Sequence, residues 1–169
     1  MRLLKYIYEK KKGKPAPYYY NYSLFRILTK PLAKWVTNTV AANSPFNCVR
    51  IFLYRLCGFK IGKKVFIGMR CYLDDMCFDK LVIEDGVTIS YGVFFACHGK
   101  GQGHEKILIK KNAYIGMRAT VISKNADKEQ KGVVIGEGAV VGAMALVNRD
   151  IPDGATAVGV PVKIIEREK

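Results

Sequence analysis

The run IGKKVF, IGMRCY, LDDMCF at residues 61–78 places an aliphatic residue at every sixth position. The rhythm returns after each of three interruptions. Residues 79–82 precede IEDGVT, ISYGVF and FACHGK (83–100), and residues 101–108 precede IKKNAY, IGMRAT and VISKNA (109–126). Residues 127–134 precede IGEGAV, VGAMAL and VNRDIP (135–152). The first position of each hexad is aliphatic or Phe, and the fifth is usually small or β-branched, as at Val65, Cys71, Val87, Ala113 and Ala139. A period of six suits neither a helix nor a simple strand alternation, so the chain reads as mainly β, a parallel β-solenoid of hexapeptides. Three hexads close one triangular coil. Each interruption follows a third hexad, so every insertion leaves from the same corner, on coils stacked at about the ordinary strand spacing of 4.8 Å.

Outside this repeat the chain changes character. Its net charge of +14 is concentrated at residues 1–60, which hold twelve Lys and Arg against Glu9 alone. Residues 61–169 are nearly balanced, sixteen basic against thirteen acidic. We therefore expect a basic, helical amino-terminal extension over 1–60, the solenoid over 61–158 and a short tail over 159–169. In the extension, Lys10, Lys11, Lys12 and Lys14 precede Tyr18, Tyr19, Tyr20 and Tyr22. Ser23 is placed to cap a helix running from Leu24 toward Val40 with a kink at Pro31. Ser44 is placed to cap a second helix, with Pro45 first, Phe46 to Cys57 filling it and Gly58 ending it. That helix is apolar except for a narrow stripe with Arg50 and Arg55.

Two uses for the extension are compatible: closing the open end of the solenoid, and contact of residues 1–40 with an anionic membrane surface. Nucleic acid is not an expected partner, because no recognition motif accompanies the charge. The start MRLLKYIYEKKKGK has no apolar run suited to a signal peptide, and no stretch has the length of a transmembrane helix, so a cytoplasmic, peripheral location is expected. Five Cys and two His show neither CxxC nor HxxxH spacing. No metal is expected from that pattern, and an odd count of unpatterned Cys suits a reducing compartment.

The hexads, together with the closing IGEGAVVGAMALVNRDIPDGATAVGVPVKII, resemble the left-handed β-helix acyltransferases, in particular the galactoside, maltose and capsular polysaccharide O-acetyltransferases. The likeness covers about residues 46 to 165 and is most specific from Val134 to Ile165. It implies a left-handed coil, against the usual right-handed crossover. It also implies a homotrimer, acetyl-CoA along the cleft between neighbouring prisms, a saccharide acceptor and one His as general base. For the CoA, it points to Gly142 and Ala143 along the pantetheine arm and Lys163 at the nucleotide phosphates. Asn148 stands where relatives often carry Thr, and Met117 and Met144 stand where many carry smaller residues.

Attack of a hydroxyl on a thioester requires removal of its proton as the bond forms, and an imidazole near neutral pKa is suited to that. His98, in the third hexad just before an insertion corner, is the candidate. Stacking puts Asp75 one coil below Cys97, with Asp74 adjacent, and Lys124 one coil above His98. Asp74 and Asp75 are candidates to orient the imidazole or to hold acceptor hydroxyls. The loop GKGQGHE (99–105) lacks the spacing of a dinucleotide fingerprint and offers His104 as a second, weaker base. No covalent acyl-enzyme is expected, although Cys97 beside His98 leaves that route open. O-acetylation of a saccharide leads this reading, with acylation of an amino sugar or antibiotic, or a non-catalytic binding trimer, as alternatives. A carbonic anhydrase on this fold would need three His around zinc, and only His98 and His104 are present.

Overall fold

The structure is a computed structural model that describes residues 2–16, 20, 24–98, 104–124 and 132–165. Tyr18, Tyr19, Tyr22, Ser23 and most of the loop after His98 lie outside the described residues. The chain divides into two compact units, Met1–Trp35 and Val36–Lys169. The first holds α1 (Arg2–Lys12), ending on Lys10, Lys11 and Lys12, and α2 (Leu24–Trp35), with Pro31 inside it. Lysines in the last turn of α1 complement the negative end of its dipole. The second unit holds a π-helical turn (Val36–Ala41), helix α3 (Asn47–Leu56) and all the strands. The compact unit thus begins well before the first hexad, because residues 36–60 pack with the coils.

The strands are short and stack in three sheets. One runs β1 (Lys60–Ile61), β3 (Leu81–Ile83), β6 (Ile107–Ile109) and β9 (Val133–Ile135). A second runs β2 (Phe66–Ile67), β4 (Thr88–Ile89), β7 (Tyr114–Ile115), β10 (Val140–Val141) and β12 (Thr156–Val158). The third comprises β5 (Phe94–Ala96), β8 (Thr120–Ile122) and β11 (Leu146–Val147). All these pairs are parallel, and first positions lie in register: Ile61 on Ile83, Ile83 on Ile109, Ile109 on Ile135. Ile67, Ile89, Ile115 and Val141 form a second, fully buried column. The small fifth positions are buried beside them, at Val65, Cys71, Cys77, Val87, Val93, Ala113, Ala119, Ala139 and Ala145. Leu81, Ile107 and Val133 also pair in register and are buried. The last residues of each insertion are therefore strand, extended because their alternation continues that of the hexad that follows.

The fourth position of the first and second hexads turns each corner with φ between 55° and 74°, at Lys64, Arg70, Gly86, Gly92, Asn112, Arg118, Gly138, Met144 and Gly154. Five of these are not Gly, which shows how strongly coil closure demands the left-handed conformation. Close stacking makes a different demand at Gly116, where a Cβ would lie 2.6 Å from Ala143 N. Among the described residues the third hexads turn otherwise: Met76, His98 and Lys124 do not enter this region.

Both ends of the stack are closed. The tail expected over 159–169 is part of the fold: it turns back as β13 (Lys163–Ile165), antiparallel to β12, and buries Val162. At the other end α3 lies on the edge of the first coil with its polar stripe, beside Ile51 and Tyr54, turned to the coil. Asn47 Nδ2 donates to Val65 O at 3.0 Å, while its Oδ1 accepts from Ile67 N at 3.0 Å. Arg50 Nε donates to Ile67 O at 2.7 Å and its Nη1 to Ser44 O at 2.6 Å. Arg55 reaches Ile61 O and Gly62 O. Ser44 does not cap the helix, which begins at Asn47 with Phe46 as N-cap and no side-chain capping bond. The polar stripe faces the coil because the open strand edge needs its donors and acceptor, more than a helix start needs a cap. Phe46, Val49, Phe52 and Leu56 consequently remain exposed.

Arg50→Ala leaves two carbonyls without their charged donor, and we expect a loss of about 1.5–3 kcal/mol in urea denaturation. Phe52→Ala, on the exposed face, is expected to change stability by less than about 0.5 kcal/mol. Equal losses would contradict the capping role of the polar stripe.

Candidate active site

Five polar or charged residues are buried in the described structure, and three of them, Asp74, Asp75 and Ser123, sit at the insertion corner. The third sheet delivers them there. Tyr72 pairs with Phe94, and Ala96 with Ile122, so the register places Met76, His98 and Lys124 in one column over successive coils. Ser123 N donates to Ala96 O at 2.8 Å, which keeps the coils stacked to the corner itself.

His98 follows β5 and is pinned on both sides. Its backbone bridges His104 in antiparallel fashion, and Glu105 N donates to Cys97 O at 2.8 Å, so the insertion returns directly beside it. From the coil below, Asp74 Oδ2 meets His98 Nδ1 at 2.6 Å and accepts from Cys97 N at 2.6 Å and His98 N at 3.1 Å. Asp74 Oδ1 accepts from Met76 N at 2.9 Å. The imidazole side chain is 41% exposed, whereas the Asp74 side chain is completely buried. Burial alone drives the Asp74 pKa upward, but the bonds from the His98 imidazole and from the Met76 and Cys97 N–H groups outweigh it. They hold the carboxyl below its ordinary value. An ionised Asp74 accepts only, so Nδ1 of His98 carries the proton and the lone pair is left on Nε2. The arrangement is an imidazole oriented by a buried carboxylate.

Asp75 is held differently. Asn38 Nδ2 donates to its Oδ2 at 2.7 Å and the Tyr72 hydroxyl to its Oδ1 at 3.1 Å. Burial, and then the Asp75 charge, push the Tyr72 phenol far above its ordinary pKa, so it stays a donor. Tyr72 also stacks on Phe94 at 4.5 Å. Beside this pair lies a cleft of about 200 Å³ lined by Asn38, Ala42, Asn43, Arg70, Cys71 and Tyr72. Asn38, in the π-helical turn, was not legible as a site residue, because no spacing in the sequence ties it to the coils. Tyr72 occupies an ordinary sixth position and gave no signal either.

The structure therefore brings His98, Asp74, Asp75 and the His104 backbone together, with Lys124 exposed on the coil above. Asp74 sits beneath the imidazole, its oxygens occupied by protein donors, and is not open to an acceptor. Cys97 is fully buried, away from any acyl donor. Gly142 and the exposed Ala143 follow β10, at the second corner of the fourth coil, with the exposed Met117 and Met144. Asn148 Oδ1 is buried and makes no hydrogen bond among the described residues. Lys163 is exposed on β13, opposite Val158. The third sheet runs between this second corner and the corner of His98.

No protein-family model matches the chain. The chain is 33% identical over 146 residues to the putative acetyltransferase YvoF of Bacillus subtilis, covering 81% of this chain and 80% of that protein. It is 32% identical over 110 residues to the serine acetyltransferase of Bacillus subtilis, covering 64% of this chain but only 45% of that longer protein. Among solved structures, it superposes on a hexapeptide-repeat containing acetyltransferase of Vibrio cholerae complexed with acetyl coenzyme A. The TM-score is 0.60 at 21% identity, over 84% of this chain and 86% of that one. It superposes on a maltose O-acetyltransferase of Clostridium difficile with TM-score 0.62 at 20% identity, over 95% and 96% of the two chains. The two structures share the fold, and the similarity to YvoF extends over four-fifths of that protein. The chain belongs to the hexapeptide-repeat acyltransferase family.

Proposed function

We propose that the protein transfers the acetyl group of acetyl-CoA to a hydroxyl of a saccharide, with His98 as general base. The observation that carries this reading is the 2.6 Å contact between His98 Nδ1 and a buried Asp74 carboxylate at the insertion corner. His98 Nε2 takes the acceptor hydroxyl proton as the oxygen attacks the thioester carbonyl carbon. Asp74 stabilises the imidazolium that forms. A backbone N–H at the cleft stabilises the tetrahedral oxyanion. Collapse of that intermediate breaks the C–S bond, and the imidazolium returns its proton to the leaving CoA thiolate. Asp75, oriented by Asn38 and Tyr72, meets acceptor hydroxyls, with His104 and Lys124 at the rim.

The CoA arm follows Gly142 and Ala143, its nucleotide phosphates meet Lys163, and the Asn148 amide contributes a polar contact. Gly142 and Ala143 on the fourth coil and His98 on the second occupy different corners of the stack, with the third sheet between them. A single thioester joins the two sets most simply across a cleft between two copies. That supports a homotrimer of left-handed coils, as the family resemblance implies. The maltose O-acetyltransferase among the solved structures supports a sugar acceptor. The serine acetyltransferase relative favours a second reading, in which the hydroxyl belongs to serine and the chemistry at His98 is unchanged. Acetyl transfer to serine with none to oligosaccharides would select it.

Peripheral attachment to an anionic membrane suits a lipid-linked acceptor. Among the described residues no helix is long and apolar enough to cross a membrane. In the first unit α1 ends on three lysines, and α2 exposes Leu32 and Trp35. In the second unit α3 offers its exposed Phe and Leu side chains. Basic charge beside exposed apolar surface is the pattern of interfacial binding.

For His98→Ala we expect turnover to fall on the order of 10²–10⁴ while CoA binding is kept; unchanged transfer would overturn the assignment. Asp74→Asn should lower turnover too, because the amide no longer enforces the Nδ1–H tautomer. It also carries a stability signature. A carboxyl depressed in the folded state stabilises fully above its unfolded pKa of about 3.9 and loses that contribution as pH falls through its lower folded value. Wild type should therefore lose stability on acidification below about pH 4 by an increment that Asp74→Asn lacks, read as melting temperature against pH. For the membrane, deleting residues 1–22 or raising salt should reduce sedimentation with anionic liposomes. Equal sedimentation of full-length and truncated protein would argue against attachment.

A further inference from the structure

The corner holds a second constellation that general base catalysis does not use. One donor atom each from Asp74, Cys77 and Cys97 lie within 4.8 Å of one another, and all three side chains are buried. Distance along the chain concealed the group. Asp74 and Cys77 belong to the first coil and Cys97 to the second, and only stacking closes the gap. Cys77 shares a hydrogen bond with Cys97. That bond first, and burial second, push the Cys77 thiol far above its ordinary pKa, with the Asp74 charge adding to the effect. Two cysteine side chains thus face each other beside a carboxylate. His98 Nδ1 stands 2.6 Å from that carboxylate, outside the mutual 4.8 Å of the other three, and is the fourth donor that a movement of the imidazole would add.

Two thiolates, a carboxylate and an imidazole are a donor set that suits tetrahedral zinc, with metal–ligand bonds of about 2.0–2.3 Å. Such bonds put neighbouring ligand atoms about 3.5–3.8 Å apart, so the donor atoms of Asp74, Cys77 and Cys97 need to contract by no more than roughly an ångström, and the imidazole swings in to join them. We propose that Asp74, Cys77, Cys97 and His98 form an inhibitory binding site for a thiophilic divalent cation such as Zn2+ or Cd2+. Binding releases the two thiol protons to solvent, and the resulting thiolates balance the charge of the cation. The imidazole ligates through Nδ1, so its proton moves to Nε2. Nε2 then has no lone pair for the acceptor proton, and Asp74 is drawn from the imidazole to the metal. The partly exposed imidazole lies over the cluster and is its way in. Binding itself does not depend on the proposed role of His98. The accompanying loss of activity does.

The test is titration of the purified full-length protein with Cd2+, followed by thiolate-to-metal absorption. We expect a band that saturates at one equivalent per chain and is reversed by a chelator. It should survive in Cys48→Ser/Cys57→Ser/Cys71→Ala, which removes the other thiols, and disappear in Cys77→Ser and in Cys97→Ser. No band at one equivalent, or a band that persists in both single variants, overturns the site. With Zn2+ bound, acetyl transfer should fall by about 10²-fold or more, as for loss of a general base, and Cys77→Ser should resist the same Zn2+ concentration. A saturating Cd2+ band with undiminished transfer in Zn2+ overturns the inhibitory role. It also counts against His98 as the base, whereas an absent band leaves that assignment standing.

Discussion

Stacking of one coil's backbone on the next is the constraint from which the rest of the molecule follows. Each strand is only two or three residues long, too short to be stable as a pair. Its N–H groups donate upward at every level, as Phe66 N does to Val87 O, Thr88 N to Ala113 O, Tyr114 N to Ala139 O and Val140 N to Ala155 O. A residue that broke this vertical register would orphan backbone groups on two coils. The apolar columns are a consequence. With the backbone in register, Ile67, Ile89, Ile115 and Val141 meet face to face. The small fifth positions let the prism close around them.

The same constraint explains where chemistry can be accommodated. Two corners of each coil must turn through the left-handed region at the fourth hexad position, even where that residue is Lys, Arg or Met. The third corner is released from that turn, so loops leave there and polar residues sit there. Asp74 stays buried because it accepts from the backbone of Cys97 and His98, as well as from the imidazole. The carboxylate joins two coils and orients the His98 imidazole with one set of bonds. Its neighbour Asp75 has almost the same sequence environment and different partners, Asn38 and Tyr72. Two adjacent carboxylates are thus separated in their bonding by what the fold brings to each.

Open ends are the standing liability of a solenoid. Here the first is met by side chains that imitate a missing strand: Asn47 presents an acceptor and a donor, and Arg50 and Arg55 present donors. The last is met by an antiparallel strand. Using the polar stripe of α3 in this way, beside the buried Ile51 and Tyr54, leaves Phe46, Val49, Phe52 and Leu56 outward, and that exposed surface makes interfacial attachment a physical question for this chain.

The hexad period and the placement of its breaks were sufficient to determine the coils, the core columns and the insertion corner, because a repeat with a buried first position tolerates little else. They also singled out His98 and Asp74, since position in a coil is position in space. Four things were decided only by tertiary structure. One is the rotation of α3, which depends on the hydrogen-bonding needs of an edge that sequence does not display. A second is the contact from Asn38 to Asp75, which joins an irregular helical turn to a coil. A third is the return of the tail as β13. The fourth is the approach of Cys77 to Cys97, residues that lack metal-binding spacing along the chain. Each depends on contacts between segments that share no period, and periodicity carries no information about such meetings.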